Sequence, residues 1–73
     1  MENKWISITE GMPKSGIRVL TCDGFGKIDI MYRSSTFHGW ACKDGVFTDS
    51  MFEGTKEEIK AWQPLPRPYK EKP

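Results

Sequence analysis

The chain has 73 residues, 37% of them hydrophobic and 29% charged, which is the composition of one small globular domain. Eleven basic residues against ten acidic ones give a formal net charge of +1, and this near balance argues against a duplex-binding protein. The sequence contains no apolar run of about 18 residues and no signal peptide, so we expect a soluble, cytoplasmic protein without a membrane span.

The first two predicted strands differ in their burial pattern. Residues 5–9 combine one aromatic side chain with β-branched ones and predict a short strand, which the glycines and the proline of residues 10–16 end. Residues 17–22 predict a second strand, with apolar side chains at both odd and even positions. Apolar residues on both faces are typical of a central strand.

A β-hairpin is predicted next. The Asp-Gly pair at positions 23–24 favours a tight turn, and residues 27–33 alternate in polarity. Ile28, Ile30 and Tyr32 share one face of this third strand, whereas charged residues lie on the other. We therefore expect strands two and three to pair antiparallel, with the three apolar side chains buried.

The second half of the chain predicts shorter elements. Residues 37–43 predict a fourth strand, a second Asp-Gly turn occupies positions 44–45, and residues 46–48 predict a fifth strand. Residues 49–56 are irregular and predict a loop, and residues 59–62 predict a last strand. The chain therefore predicts five or six short strands.

A helical turn is an alternative near the end of that loop. Thr55 followed by Glu58 has the spacing of a capping box, in which the threonine caps the first turn and the glutamate reaches back. Pro64 follows within a few residues, and proline interrupts a helix. We therefore expect at most one helical turn.

The predicted fold is mainly β: a small antiparallel sheet or SH3-like barrel of five to six short strands. Residues 1–66 form this single domain, and residues 67–73, which are charged and proline-rich, form a flexible tail. At this length only about 60% of the unfolded chain's surface becomes buried, so aromatic residues carry much of the core. The expected core consists of Trp5, Ile8, Val19, Leu20, Ile28, Ile30, Tyr32, Trp40, Ile59 and Trp62.

No group of residues predicts catalysis, a cofactor or a metal site. Cys22, His38 and Cys42 are the soft metal ligands of the chain, but they lack the paired short spacing of a zinc site. The sequence neighbours of the single histidine do not mark it as an activated base. Without a secretion signal we expect reduced thiols, with a bridge left open if their strands are neighbours. We therefore expect neither an enzyme nor any catalytic, cofactor-binding or metal-binding residue.

Large apolar side chains in the loop-rich stretch after the second Asp-Gly turn predict a protein-binding surface. Such residues on loops either fold onto the core or anchor a partner. The candidate anchors are Val46, Phe47, Met51 and Phe52. They would make the domain a non-enzymatic module that binds another protein.

Single-stranded nucleic acid is the alternative partner. Small β domains bind it by stacking bases on aromatic side chains within a basic groove. Interleaved aspartates reduce the positive field along this chain. The residues predicted to bind nucleic acid are Phe25, Lys27, Tyr32, Arg33, Phe37 and Lys43.

Several short motifs occur in a fixed order along residues 4–66. The most distinctive is the ending Ala61-Trp62-Gln63-Pro64-Leu65-Pro66, and the others are Lys4-Trp5-Ile6-Ser7, Met12-Pro13, Gly16-Ile17-Arg18-Val19-Leu20, Asp23-Gly24, Ile28-Asp29-Ile30-Met31-Tyr32 and Gly39-Trp40. This arrangement resembles domain-of-unknown-function family 551, a small family associated with phages and prophages.

The resemblance has three departures and a limited implication. Met12 stands where the family's pattern has leucine, Ala61 where it has histidine, and Gln63 where it has methionine. The family brings no catalytic residues to this chain. It implies a short protein of bacterial viruses or their integrated remnants, and we expect such a protein to bind a host protein in a defence or regulatory complex.

Overall fold

The structure is a computed structural model and describes residues 4–66. Its elements, in chain order, are β1 (Ile6–Ser7), β2 (Arg18–Asp23), β3 (Ile28–Arg33), β4 (Gly39–Cys42), β5 (Gly45–Thr48), α1 (Asp49–Phe52) and β6 (Ile59–Pro64). The prediction of a mainly β fold with five to six short strands and at most one helical turn is confirmed, since the described residues form six strands and one four-residue helix. The tail predicted for residues 67–73 lies outside the described residues.

All six strands belong to one open antiparallel sheet, in the order β1-β6-β2-β3-β4-β5. β6 pairs with both β1 and β2, so the two ends of the described chain lie side by side. The register sets Thr21 opposite Asp29 in β3 and opposite Trp62 in β6. Of the two predicted arrangements, residues 4–66 therefore form the open sheet and not the closed barrel.

The β2–β3 hairpin forms as predicted, over five residue pairs. Its turn is held by Asp23, whose Oδ1 accepts the backbone N–H groups of Phe25 and Lys27, each at 2.9 Å. Gly26 has a φ of 86°, a left-handed conformation that glycine adopts without steric cost. The aspartate thus closes the turn through its side chain, which is a common use of this residue.

The core is small and lies on one face of the sheet, which we call the core face. Val19, Trp40 and Ile59 are buried there, as predicted, and Met31 joins them. Partly buried hydrophobic residues pack against this cluster: Ile8, Cys42, Phe47 and Trp62. Two of these, Ile8 and Trp62, are also members of the predicted core.

The predicted faces of β3 are reversed. Ile28, Ile30 and Tyr32 are exposed, whereas Met31 and Arg33 are buried. Alternation shows that a strand has two different faces, but it does not say which face meets the core. The pairing with β2 decides which face of β3 meets the core. The two most buried side chains of β2, Val19 and Thr21, lie opposite the odd-numbered residues Met31 and Asp29 of β3.

The helical turn forms in the first four residues of the predicted loop. The backbone N–H of Thr48 donates to Sδ of Met51 at 3.4 Å and so caps the start of α1. Thr55 instead closes a separate turn, because its hydroxyl donates to the Phe52 carbonyl at 2.7 Å. The alternative of a helical turn beginning at Thr55 is therefore wrong. Within residues 4–66, no helix is long and apolar enough to cross a membrane.

The chain's return through β6 is fixed by its tryptophan. Nε1 of Trp62 donates to the carbonyl of Gly11 at 2.9 Å, which ties the loop after β1 to β6. Leu65 is half-buried and lines one depression together with Trp62 and Pro64. The proline-flanked leucine therefore lies in the same depression as the tryptophan at the end of the sheet.

Candidate functional site

The side of the sheet opposite the core carries a row of apolar side chains. Residues that pair across antiparallel strands point to the same side of the sheet. The pairs Leu20–Ile30 and Cys22–Ile28 therefore lie together, and Tyr32 follows two residues after Ile30 on the same side. These residues cover the centre of the sheet on its far side from the core.

The same surface continues into the outer strands. Tyr32 pairs with Ala41, which in turn pairs with Val46 in the edge strand β5. At the other edge, the β1–β6 register continued by one residue sets Trp5 opposite Gln63. We call this surface the open face, and it consists of Trp5, Leu20, Cys22, Ile28, Ile30, Tyr32, Ala41, Val46, Ala61 and Gln63.

Five large side chains of the open face are exposed: Val46 by 64%, Ile28 by 56%, Ile30 by 48%, Trp5 by 39% and Tyr32 by 38%. Four of the five are predicted as core residues, and for them that prediction is wrong. Three of the five follow one another along β3, Val46 lies in β5 beyond β4, and Trp5 precedes β1; together they expose on the order of a few hundred Å² of apolar surface. A patch of this size on a monomer is often functional.

Gln63 lies on the open face with an unpaired buried atom. Only 7% of the residue is exposed, and among residues 4–66 its Oε1 has no hydrogen-bond partner. Turning the amide over would bury its NH₂ group in the same place without a partner. Leu20 of β2 lies directly opposite Gln63. A buried acceptor without a donor destabilises the fold.

On the core face, the buried side chain of Arg33 forms an ion pair with the partly exposed side chain of Asp49. Its guanidinium donates to both carboxylate oxygens of Asp49, at 2.8 and 2.6 Å. Its Cζ lies 5.3 Å from the ring centroid of Trp40. The hydrogen bonds from Arg33 lower the pKa of Asp49 from its ordinary value of 3.8. Arg33 therefore fastens α1 to β3.

The Arg33–Asp49 pair predicts a pH-dependent stability. Because the folded-state pKa of Asp49 is depressed, the pair adds stability above the unfolded-state pKa of about 3.9, and this contribution is lost as the pH falls through the folded-state value. The Asp49 side chain is 41% exposed, so we expect at most about 1 kcal/mol. The difference between thermal melts of the wild type and Asp49→Asn should be constant above about pH 5 and should shrink as the pH falls below the unfolded-state pKa of about 3.9. A difference that persists unchanged in acid contradicts this assignment.

The four predicted partner-binding residues do not form one surface. Phe47 and Phe52 contact each other edge to face, with ring centroids 5.3 Å apart, and Phe47 packs against the core. Met51 is exposed on α1. Val46 points away from all three, onto the open face. Of the four, Val46 therefore shares a surface with the other exposed apolar side chains.

Four of the residues predicted for nucleic acid lie on the surface in two separate places. Phe25 and Lys27 stand at the tip of the β2–β3 hairpin, where Nζ of Lys56 lies 5.9 Å from the Phe25 ring centroid. Tyr32 and Lys43 line one groove beside β3. The structure therefore brings Tyr32 and Lys43 together and separates them from the hairpin tip.

The other two residues predicted for nucleic acid face inward. Arg33 is 9% exposed and holds Asp49. Phe37 is half-buried, and its ring lies close enough to Gly39 that a Cβ there would stand 2.5 Å from a ring carbon. Both side chains therefore serve packing and pairing within the domain.

The cysteines are free thiols in strands that β3 separates. Cys22 lies on the open face, and Cys42 packs against the core cluster. Over the part of the chain that the structure describes, no group of three or more His, Cys, Asp or Glu side chains is placed to hold a metal ion.

One family matches almost the whole chain. The profile of a family described as "Protein of unknown function (DUF551)" matches residues 4–70, which include all the motifs given above and the whole described sheet. No curated protein and no solved structure matches the chain. Because the family match covers most of the 73 residues, the chain belongs to the DUF551 family, as its motifs predict.

Proposed function

We propose that this domain is a non-enzymatic binding module that holds another protein against its open face. The observation that carries the proposal is the exposure of Ile28, Ile30, Tyr32 and Val46 on one side of the sheet, three of them along β3 and Val46 in the edge strand β5. Burying such surface contributes about 25 cal/mol per Å² of apolar area. An apolar centre is typical of the fully buried part of a protein–protein interface.

The chemistry of the open face favours a protein over nucleic acid. Ile28, Ile30 and Val46 are aliphatic, and aliphatic side chains bury area against apolar groups but offer no ring on which a base can stack. Tyr32 beside Lys43 is the observation that supports single-stranded nucleic acid as the second candidate. An affinity for an oligonucleotide that falls steeply with added salt would favour that candidate.

The biological setting is part of the same proposal and draws on the phage association that the motif resemblance implies. The domain acts as a phage or prophage accessory protein in the cytoplasm of the host bacterium, and its partner is a host protein in a defence or regulatory complex. Small size supports this role, since a chain of 73 residues has room for one core face and one binding face.

Site-specific photocrosslinking in host bacteria tests the proposal. A benzophenone amino acid replaces Ile30 on the open face, and a matched variant carries it at Met51, which is 59% exposed on α1. We expect one predominant protein adduct from position 30 and none from position 51, identified by mass spectrometry. Equal adducts from both positions, no protein adduct from position 30, or an adduct with nucleic acid alone would each overturn the proposal.

A further inference from the structure

A groove opens beside β3 where β4 ends. β3 pairs with β2 along its whole length from Tyr32 to Ile28, but it pairs with β4 only at Tyr32 and Arg33. The gap that remains has a volume of about 500 Å³. Its lining combines apolar with basic side chains and includes Arg18, Ile30, Met31, Tyr32, Cys42 and Lys43.

One backbone donor on the free edge of β3 inside this groove is already paired. The N–H of Ser34 bonds to the Gly39 carbonyl, so backbone groups at even-numbered positions of this segment point toward β4. Ile30 lies beyond the end of that ladder, and its N–H donates instead to Oδ1 of Asp29 at 2.8 Å. A charged side chain on a free edge discourages the addition of another strand. We therefore expect the side chains of the groove, and not an added β-strand, to recognise a ligand there.

The groove lining carries two positive charges, on Arg18 and Lys43, and one negative charge, on Asp29. Arg18 and Lys43 line it, and within residues 4–66 neither takes part in a salt bridge. Asp29 supplies a carboxylate to the lining, but one of its oxygens accepts the Ile30 N–H. A ligand that joins carboxylates to an apolar group complements this pattern, because carboxylates accept charge-assisted hydrogen bonds from arginine and lysine.

We propose that the groove binds a peptide segment of the partner protein in which large apolar residues are flanked by aspartate or glutamate. This inference rests on the proposed function and adds the chemistry of the partner. The apolar side chains of the segment lie on Ile30 and Tyr32, and its carboxylates pair with Arg18 and Lys43. The two charges select the segment, and the apolar contact supplies most of the affinity.

The same charges argue against two occupants from this chain. A second copy placed on the open face would bring Arg18 and Lys43 of one molecule toward those of the other, which is a repulsive arrangement. The segment 67–73 carries three basic residues and one acidic residue, so it is repelled as well. Nucleic acid would satisfy the charges, but Tyr32 is the one aromatic side chain in the groove lining.

Selection of random dodecapeptides displayed on a carrier, with the purified full chain as bait, tests the inference. We expect the enriched peptides to combine acidic with large apolar residues. In fluorescence anisotropy, Arg18→Glu should weaken an enriched peptide by about tenfold or more. Lys27→Glu makes the same charge change at the hairpin tip and should leave the affinity within about twofold. Exchanging the peptide's acidic residues for lysine should restore binding to Arg18→Glu, and circular dichroism confirms that each variant is folded.

The outcomes separate this inference from the proposed function. Enriched peptides without acidic residues, or an affinity that Arg18→Glu leaves unchanged, would overturn the acidic ligand, while a protein adduct from position 30 would still support the open face as a binding surface. Tighter binding to oligothymidylate than to any selected peptide would replace the peptide with nucleic acid. Failure of the position 30 crosslink would remove the proposed function and this inference with it.

Discussion

Gly39→Ala should lower the free energy of unfolding by about 3 kcal/mol or more. A Cβ on Gly39 would stand 2.2 Å from the backbone carbonyl oxygen of Phe47 and 2.5 Å from a ring carbon of Phe37. The ring can turn aside, but the carbonyl belongs to β5, which pairs with β4 at this position through Thr48. Relief of the clash therefore requires the two strands to move apart.

The separation is costly because these strands hold much of the core. Trp40 of β4 is 2% exposed, and Phe47 of β5 packs against the same cluster. A domain of this length has a free energy of unfolding on the order of 5 kcal/mol, so a loss of about 3 kcal/mol removes most of it. The melting temperature should fall by about 15 °C, as measured by circular dichroism.

Gly11→Ala is the matched control for this prediction. A Cβ on Gly11 meets no atom within 4 Å, and the carbonyl that accepts the Trp62 hydrogen bond is unchanged by the substitution. We expect its free energy of unfolding to stay within about 0.5 kcal/mol of the wild type. Equal melting temperatures for the two variants would show that β4 and β5 do not approach as closely as described.

The strands were predictable because short-range signals mark them. The Asp-Gly pairs at positions 23–24 and 44–45 stand at the two turns that join β2 to β3 and β4 to β5. Each pair fixes a reversal of the chain, so the antiparallel neighbours follow from the turn itself. The position of β6 between β1 and β2 was not predictable in this way, because that pairing joins residues about forty positions apart.

The open face was missed because hydrophobicity alone assigned the inward side of β3. Ile28 and Ile30 are more apolar than Asp29 and Arg33, so the sequence favours the wrong face. Arg33 is accepted on the core face because Asp49, sixteen residues later, neutralises it. No short-range sequence pattern predicts the ion pair between Arg33 and Asp49. Met31 is the one hint, since it places a large apolar residue among the charged positions of β3.

The four residues of the predicted partner surface are separated by the helical turn α1, which no residue propensity in the sequence predicts. The Thr48 N–H is satisfied by a methionine sulfur, which is a weak acceptor and not a recognised capping residue. The resulting turn folds Phe52 back onto Phe47 and leaves Met51 outside. Phe47 and Phe52 therefore pack within the domain, and the apolar surface that we propose for binding lies on the sheet instead.

Gln63→Met should raise the free energy of unfolding by about 1–2 kcal/mol. Oε1 of Gln63 is buried without a hydrogen-bond partner among residues 4–66, so folding removes its water contacts without replacing them. Methionine has a similar length, is unbranched and flexible, and fills the same space without a strong acceptor. Urea denaturation should show a higher midpoint at an unchanged m-value.

Gln63→Glu separates the missing hydrogen bond from the packing of the side chain. Glutamate keeps the shape of glutamine but carries a charge where no cation is paired with it, so we expect a loss of stability at pH 7. Burial raises the pKa of such a carboxyl, and the stability should return as the pH falls and the group is protonated. If methionine gives no gain while glutamate gives no loss, the Gln63 amide must be hydrated in solution. Burial of the Gln63 side chain would then make no contribution to the free energy of unfolding.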